Sequence, residues 1–375
     1  MLHGTPSASS GTGDDGPDGQ PAPALRHGAR KLPGVSIGGY NAELKEGGGF
    51  IGDRARRDAF LERLEDWRHR AADPWPGQSL AELGKARLER ALEEGSPLEM
   101  GILLAAIEDF SSALAEVIAR FLALPDWKGV EALVIGGGFS AGLLGRLAIG
   151  RAAVRLLEAG HKVSLHPIGH DPDEAGLLGW RHMLPAEALE GRDAFLAVDI
   201  GGTNLRAGVV RLAGCGPRDP ARDQVWASRL WKHAADQPDR DDAVRGLATM
   251  LHDLSHAAIH AGLRLAPVVG ISCPGLIDEE GHIERGGQNL PGGDWEEDRG
   301  FSLPAALAKL VPRIGGGEAR FLMHNDAVAQ GMSEAPAMRD VTRWGVLTIG
   351  TGLGNASFRN RSAETGRDPE GSQAE

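Results

Sequence analysis

From Ser79 to Leu124 the apolar positions recur at helical spacing. Leu80, Leu83, Leu88 and Leu92 form one stripe, and Leu103, Ile107, Phe110, Leu114, Val117, Ile118 and Phe121 form a second. The run Ala132-Leu133-Val134-Ile135 is short, wholly apolar and stops at Gly136-Gly137-Gly138, which predicts a buried strand entering a turn. A helix over 143–159 then leads to a strand over 162–168. A second block opens with the apolar strand 194–200. A tight Gly-Gly turn joins it to another strand, 205–212, so the pair predicts a β-hairpin. A helix follows over 241–261, and strands over 267–272, 320–323 and 344–349. Strands alternating with helices predict an α/β fold, and the early hairpin makes its sheet mixed, unlike the parallel sheet of a dinucleotide-binding domain.

Composition narrows the class. With 375 residues there is chain enough for two domains with their own cores, and 41% apolar content is that of a globular protein. Residues 1–34 are rich in Gly, Pro, Ser, Asp and Ala, and 361–375 are polar, so both read as disordered tails. A formal net charge of −12 argues against nucleic-acid binding through bulk positive charge. The two cysteines, Cys215 and Cys273, are too few for a disulfide framework or a cysteine-rich zinc site. No uninterrupted apolar run is long enough to span a bilayer, and no basic-then-apolar leader opens the sequence, so a cytoplasmic location without membrane partners is expected.

Four strand ends carry chemistry. In Asp199-Ile200-Gly201-Gly202-Thr203-Asn204 an apolar strand delivers a carboxylate, and two glycines let the backbone turn close to a ligand. Thr203 and Asn204 add a hydroxyl and an amide beside free N–H groups. Such a turn suits phosphate oxygens, and Asp199 suits Mg²⁺ held through water. A hairpin whose Asp and Thr merely cap the turn is the plainer alternative. The turn Gly350-Thr351-Gly352-Leu353-Gly354 after strand 344–349 is built alike, and Gly136-Gly137-Gly138 makes a third, which together suggest a nucleotide between two domains. No Gly-x-x-x-x-Gly-Lys-Ser/Thr sequence occurs, so this is not a P-loop protein. Finally, Phe321-Leu322-Met323-His324-Asn325-Asp326-Ala327 brings a carboxylate to a strand end, where Asp326 could accept a hydroxyl proton or cap the following helix.

These segments together resemble the ROK family of sugar kinases and related repressors, within the hexokinase/actin superfamily. Asp199 to Gly208 is similar to its first phosphate motif, and Gly350 to Gly354 to its second. Gly270-Ile271-Ser272-Cys273-Pro274-Gly275-Leu276-Ile277-Asp278 resembles its Pro-Gly-x-x-Asp segment, Asn289-Leu290-Pro291-Gly292 its Asn-Leu-Pro-Gly segment, and Asn325-Asp326-Ala327 its catalytic Asn-Asp-Ala, with Glu334 where that helix usually carries Glu. The family's second half should follow Gly354, yet about twenty residues remain there. Upstream, Leu133 to Ser140 resembles the family's adenosine motif and Ala175-Gly176-Leu177-Leu178-Gly179 its C-terminal Ala-Gly-x-x-Gly helix. The resemblance therefore implies a circular permutation, with a linker over 184–192 joining the old end to the old start. A truncated gene with an unrelated N-terminal domain is the rival account.

What the resemblance implies is an actin/hexokinase-like (ribonuclease H-like) fold in permuted order. Residues 35–183 plus 341–358 would bind nucleotide, and 193–340 would carry the first phosphate turn and the sugar. It implies MgATP-dependent phosphorylation of a hexose or N-acetylhexosamine, with Asp326 as base, Asn325, Asn289 and Asp278 at the sugar, and Gly201, Gly202, Thr203, Asn204, Gly350, Thr351, Gly352, Gly136, Gly137 and Gly138 around the phosphates. The family's Glu-x-x-His sugar contact and cysteine-rich zinc loop appear neither after Gly354 nor over 34–70, so no zinc is expected, and Asp53 or Arg54 stand near the gap. The other function class is a catalytically weak, sugar-responsive regulator on the same scaffold. ROK repressors carry a basic helix-turn-helix, for which 1–34 is too short and too rich in Gly and Pro, so the kinase leads. A homodimer is left open. His252, His256 and His260 repeat every four residues, but without a carboxylate or cysteine partner they read as a solvated helix face.

Overall fold

The computed structural model describes residues 26–213 and 223–361. Two mixed sheets carry the fold. The six-stranded sheet runs, in spatial order, Lys31–Leu32, Val35–Tyr40, Leu353–Asn360, Arg343–Ile349, Ala132–Gly136 and Ser164–Pro167. The five-stranded sheet runs Arg320–Asn325, Leu265–Cys273, Ala194–Ile200, Leu205–Arg211 and Gln224–Trp231. The hairpin expected at Gly201-Gly202 is present, its antiparallel register running from Ala194↔Arg211 to Ile200↔Leu205.

Helices fill three layers around these sheets. Outside the six-stranded sheet lie Arg57–Arg70, Leu80–Glu94, Pro97–Leu122 and Gly142–Glu158. Two of them start at capping boxes, Ser79 with Glu82 and Ser96 with Glu99, the second followed by Pro97 at the first helical position. Their apolar stripes, including Leu103, Ile107, Phe110, Leu114, Ile118 and Phe121, close over Leu133, Ile135, Leu347 and Ile349 of the sheet. Outside the five-stranded sheet lie Arg240–His260 and Leu303–Leu310, which bury Leu247, Leu251 and Leu307 against Leu196, Val198 and Val269. Each fully buried Leu, Ile or Phe of these cores contributes about 1.5–3 kcal/mol relative to exposure.

Between the sheets lie Pro172–Leu178, Trp180–Met183 and Asp326–Ser333. A third apolar cluster binds both sheets to them: Val134, Trp344, Val346 and Phe358 from one, Phe195, Ala197 and Val268 from the other, and Leu177, Trp180, Val328 and Met332 between. The middle helices do not follow the expected division of the chain. Pro172–Leu178, placed by sequence with the nucleotide half, packs on the five-stranded sheet. Asp326–Ser333, placed with the sugar half, packs chiefly on Pro172–Leu178 and, among the strands, most on Arg343–Ile349 and Leu353–Asn360. The expected division followed the order of the motifs along the chain; each of these helices also buries a face against the other sheet.

The expected N-terminal tail also needs correction. Residues 1–25 lie outside the described residues, as do 362–375, but 26–34 are placed. Lys31–Leu32 pairs with Val35–Tyr40, Gly28 N donates to Met323 O at 3.0 Å, and Met323 N donates to His27 Nδ1 at 3.0 Å. Gly28 (φ 56°) admits no side chain there, since a Cβ would stand 2.2 Å from Ile277 O. Composition masked this segment because its bonds are made by main chain and not by an apolar stripe.

Candidate active site

Three neighbouring strand ends meet. Ala194–Ile200, Leu265–Cys273 and Arg320–Asn325 are adjacent and parallel, with Asp199 beside Ser272 and Ser272 beside His324. Their carboxyl ends therefore deliver Asp199, Pro274 and Asp326 to one edge of the sheet, the usual place for a ligand in α/β proteins. On the other sheet Arg343–Ile349 runs parallel to Ala132–Gly136, with Thr348 beside Gly136, so the turns at 136–138 and 350–352 stand side by side. A cleft of about 900 Å³ separates the sheets and is lined from both. Gly201, Gly202, Thr203, Asn204, Asn289 and Asp326 face it from one side, and Gly137, Gly138, Gly350, Thr351 and Gly352 from the other.

Close approach explains two of the glycines. At Gly137 (φ 82°) a Cβ would lie 2.3 Å from Ile349 O, so only glycine lets one turn rest on the next. At Gly202 a Cβ would come within 3.2 Å of Asn289 Cβ and 3.8 Å of Thr351 Oγ1, which brings both expected phosphate turns and Asn289 to the same point. His233 Nε2 lies 2.9 Å from Gly201 O, and Gly350 O accepts from Arg57 N at 3.0 Å, so both turns are held by their carbonyls. Gly136, expected in the cradle, is instead a packing position among Gln330, Ile168 and Thr348.

The electrostatics single out two carboxyls. Burial, and then the charge of Asp326, push Asp199 up to about 7 despite the opposing Arg206. Burial pushes Asp326 up to about 6, against the pull of backbone N–H groups. Arg206 is shared, donating to Asp173 O at 2.6 Å and pairing with Asp173 Oδ2 at 3.0 Å. Asp199 and Asp173 thus share one guanidinium while Asp326 adds its own charge at Asp199, an arrangement that fits a divalent cation there.

Asp326 is not the helix cap. Asn325 is, its Oδ1 accepting from Ala327 N at 3.0 Å and Val328 N at 3.2 Å while its Nδ2 donates to Gly275 O at 3.0 Å. The carboxamide of Asn325 is buried and occupied by these bonds, and the residue does not line the cleft, contrary to its expected sugar contact. It holds the strand-to-helix corner that presents Asp326. Asp278 is likewise displaced. It sits in the turn before Ile283–Arg285, accepts from Glu280 N and His282 N, and lies 2.9 Å from His282 Nδ1, outside the cleft lining. Glu334 is a clasp, Oε1 accepting from Gly169 N at 3.0 Å and His170 N at 3.2 Å. Asp53 lines the cleft, whereas Arg54 turns to Glu46 and Glu116.

The Ala-Gly-x-x-Gly segment sets the carboxyls. A Cβ on Gly176 would lie 2.8 Å from the Asp199 carboxyl, and one on Gly179 only 1.7 Å from Ala329 O. Ser272 Oγ donates to Gly176 O at 2.9 Å and accepts from Trp180 Nε1 at 3.0 Å, which ties this segment across the sheet. Sequence reading missed Asp173, Asn41, Gln288, Gln330 and Asn355 in the lining. Asp173 alone had a signal, one turn before a recognised motif.

Comparison with known proteins gives one curated relative, the glucokinase of Thermotoga maritima, 29% identical over 180 residues that span 48% of this chain and 48% of that protein. The match therefore covers about half the length of the relative. Among solved structures, a ROK family glucokinase from Streptomyces griseus in complex with glucose and AMPPNP is 22% identical, covering 46% of this chain and 47% of that one at a TM-score of 0.34. A ROK hexokinase from Thermus thermophilus is 21% identical, covering 43% and 45% at a TM-score of 0.31. No protein-family model matches the chain. On the glucokinase match and the motifs gathered at the cleft, the chain is similar to the sugar kinases of the ROK family.

Proposed function

We propose that the chain transfers the terminal phosphoryl group of ATP to a hydroxyl of a hexose or N-acetylhexosamine, with Asp326 as general base. The observation that carries this reading is Asp326 itself: a carboxyl that shares the Ala327 N–H with the capping Asn325, accepting it at 2.8 Å through Oδ1, and lines the cleft beside Asp199 and opposite two glycine turns. In the proposed step the sugar oxygen bonds to the terminal phosphorus as the bond from that phosphorus to its bridging oxygen breaks. The hydroxyl proton passes to Asp326, and ADP leaves. The N–H groups of 201–204 and 350–352 would hold the phosphates. Asp199 would hold Mg²⁺ through water, and the ion would offset charge on the transferring phosphate. The apolar end of the cleft, with Phe60, Leu80, Leu88 and Phe139, suits the base of the nucleotide.

We also infer a circular permutation. Support comes from the six-stranded sheet, where Val35–Tyr40 pairs antiparallel with Leu353–Asn360, so the two ends of the described chain are neighbours. A match confined to 48% of both proteins is what a contiguous alignment of a permuted chain would give. The test of function is a kinase assay over hexoses and N-acetylated hexosamines with MgATP and with polyphosphate as donors. Phosphorylation of one class supports the reading. Sugar binding without transfer would favour the regulator.

A further inference from the structure

The cleft holds a polar group that no motif accounts for. Asn41 lines it, and its side-chain Nδ2 is buried without a hydrogen-bond partner. Its backbone is left-handed, φ 52°, a conformation that asparagine tolerates better than most residues. Three bonds to one residue fix this corner. Asn41 N donates to Asn355 O at 2.9 Å, Ala42 N donates to Asn355 Oδ1 at 2.9 Å, and Asn355 Nδ2 donates to Ala42 O at 3.1 Å. Asn355 thereby imitates a strand partner for Ala42 and fixes the backbone from which the Asn41 carboxamide projects. The carboxamide reaches toward the opposite wall, for a Cβ on Gly286 would lie 3.0 Å from Asn41 Nδ2. Gly286 opens the segment that continues through Gln288 to Asn289, all of it cleft lining.

An unpaired buried amide costs about 1–3 kcal/mol unless something completes it. We propose that Asn41 binds a hydroxyl of the acceptor sugar, supplying from the six-stranded side the contact that the missing Glu-x-x-His would otherwise provide. This rests on the kinase reading. A hydroxyl suits the site because it both donates and accepts, and so pairs with either end of the carboxamide. Asn355, whose side chain is occupied by Ala42, is then the residue that positions the Asn41 backbone.

Asn41→Gly is the informative variant, since glycine keeps the left-handed backbone and removes only the carboxamide. Its sugar affinity, measured by calorimetry, should fall about tenfold. In turnover the sugar KM should rise by a like factor, while the ATP KM stays within about twofold and the melting temperature does not fall. Among monodeoxy analogues of the preferred sugar, one should bind wild type and variant alike, because its missing hydroxyl is the partner. Equal sugar affinity in wild type and Asn41→Gly would overturn the proposal, and so would a uniform loss across all the deoxy analogues. A wild type that binds sugar without transferring phosphate sinks the kinase reading while the binding comparison still judges Asn41. A wild type that binds no hexose sinks both.

Discussion

At the residue scale the cleft rests on two carboxyls that share little countercharge. Asp326→Asn should lower kcat about 10²–10⁴-fold, because a carboxamide of the same shape cannot take the proton. Since Asn325 already caps the helix, the melting temperature should hold; a variant with normal turnover removes Asp326 from the chemistry. The raised groups also predict pH behaviour. Asp199 at about 7 and Asp326 at about 6 keep protons that the unfolded chain, at its ordinary 3.8, has released. Between about pH 4 and pH 7 they therefore erode stability as pH rises. Asp199→Asn removes one of them, so without Mg²⁺ its melting temperature should gain on wild type across that window and level off above it. A difference independent of pH would show that Asp199 is ionised throughout. In turnover the acid limb should fall near pH 6, where Asp326 gives up its competence as a base, and it should be absent from residual activity of Asp326→Asn.

At the element scale the two middle helices decide the geometry. Pro172–Leu178 and Asp326–Ser333 touch through glycine, and Gly179 lies against the carbonyl of Ala329 with no room for a methyl group. Gly179→Ala should cost about 1–3 kcal/mol by overpacking, and it should depress kcat more than either KM, because the shift falls on the helix that begins at Asp326. Parallel chemical denaturation and steady-state kinetics would check this, and an unshifted midpoint would contradict the contact. These helices also show what the sequence could disclose. Strands such as Ala194–Ile200 and Arg343–Ile349 were legible because they are mostly apolar and are followed directly by glycine. Arg57–Arg70 was not, for Arg and Glu crowd its buried positions Phe60 and Leu64. Leu353–Asn360 was hidden by Asn355, Ser357 and Asn360, polar residues whose partners, Ala42, Gly39 and Asp126, and Met338 and Val341, lie far away in sequence. Asn41 is of that kind too, an ordinary polar residue until its surroundings are known.

At the scale of the whole molecule the order of segments becomes a prediction. If the chain is permuted, a gene in which 193–361 precede 26–184 through a flexible joint should give a folded protein with the same sugar preference. Loss of folding in that rearranged chain would favour an unrelated N-terminal domain instead. The strand pairing has one more consequence, for the timing of synthesis. The five-stranded sheet is drawn wholly from 194–325 and can close as soon as that stretch has left the ribosome. The six-stranded sheet cannot. Its first strands and its helical cover are made early, but Ala132–Gly136 waits for Arg343–Ile349, and Val35–Tyr40 waits for Leu353–Asn360. The earliest-made half of the chain thus completes its sheet last, after the later half has had the chance to close its own.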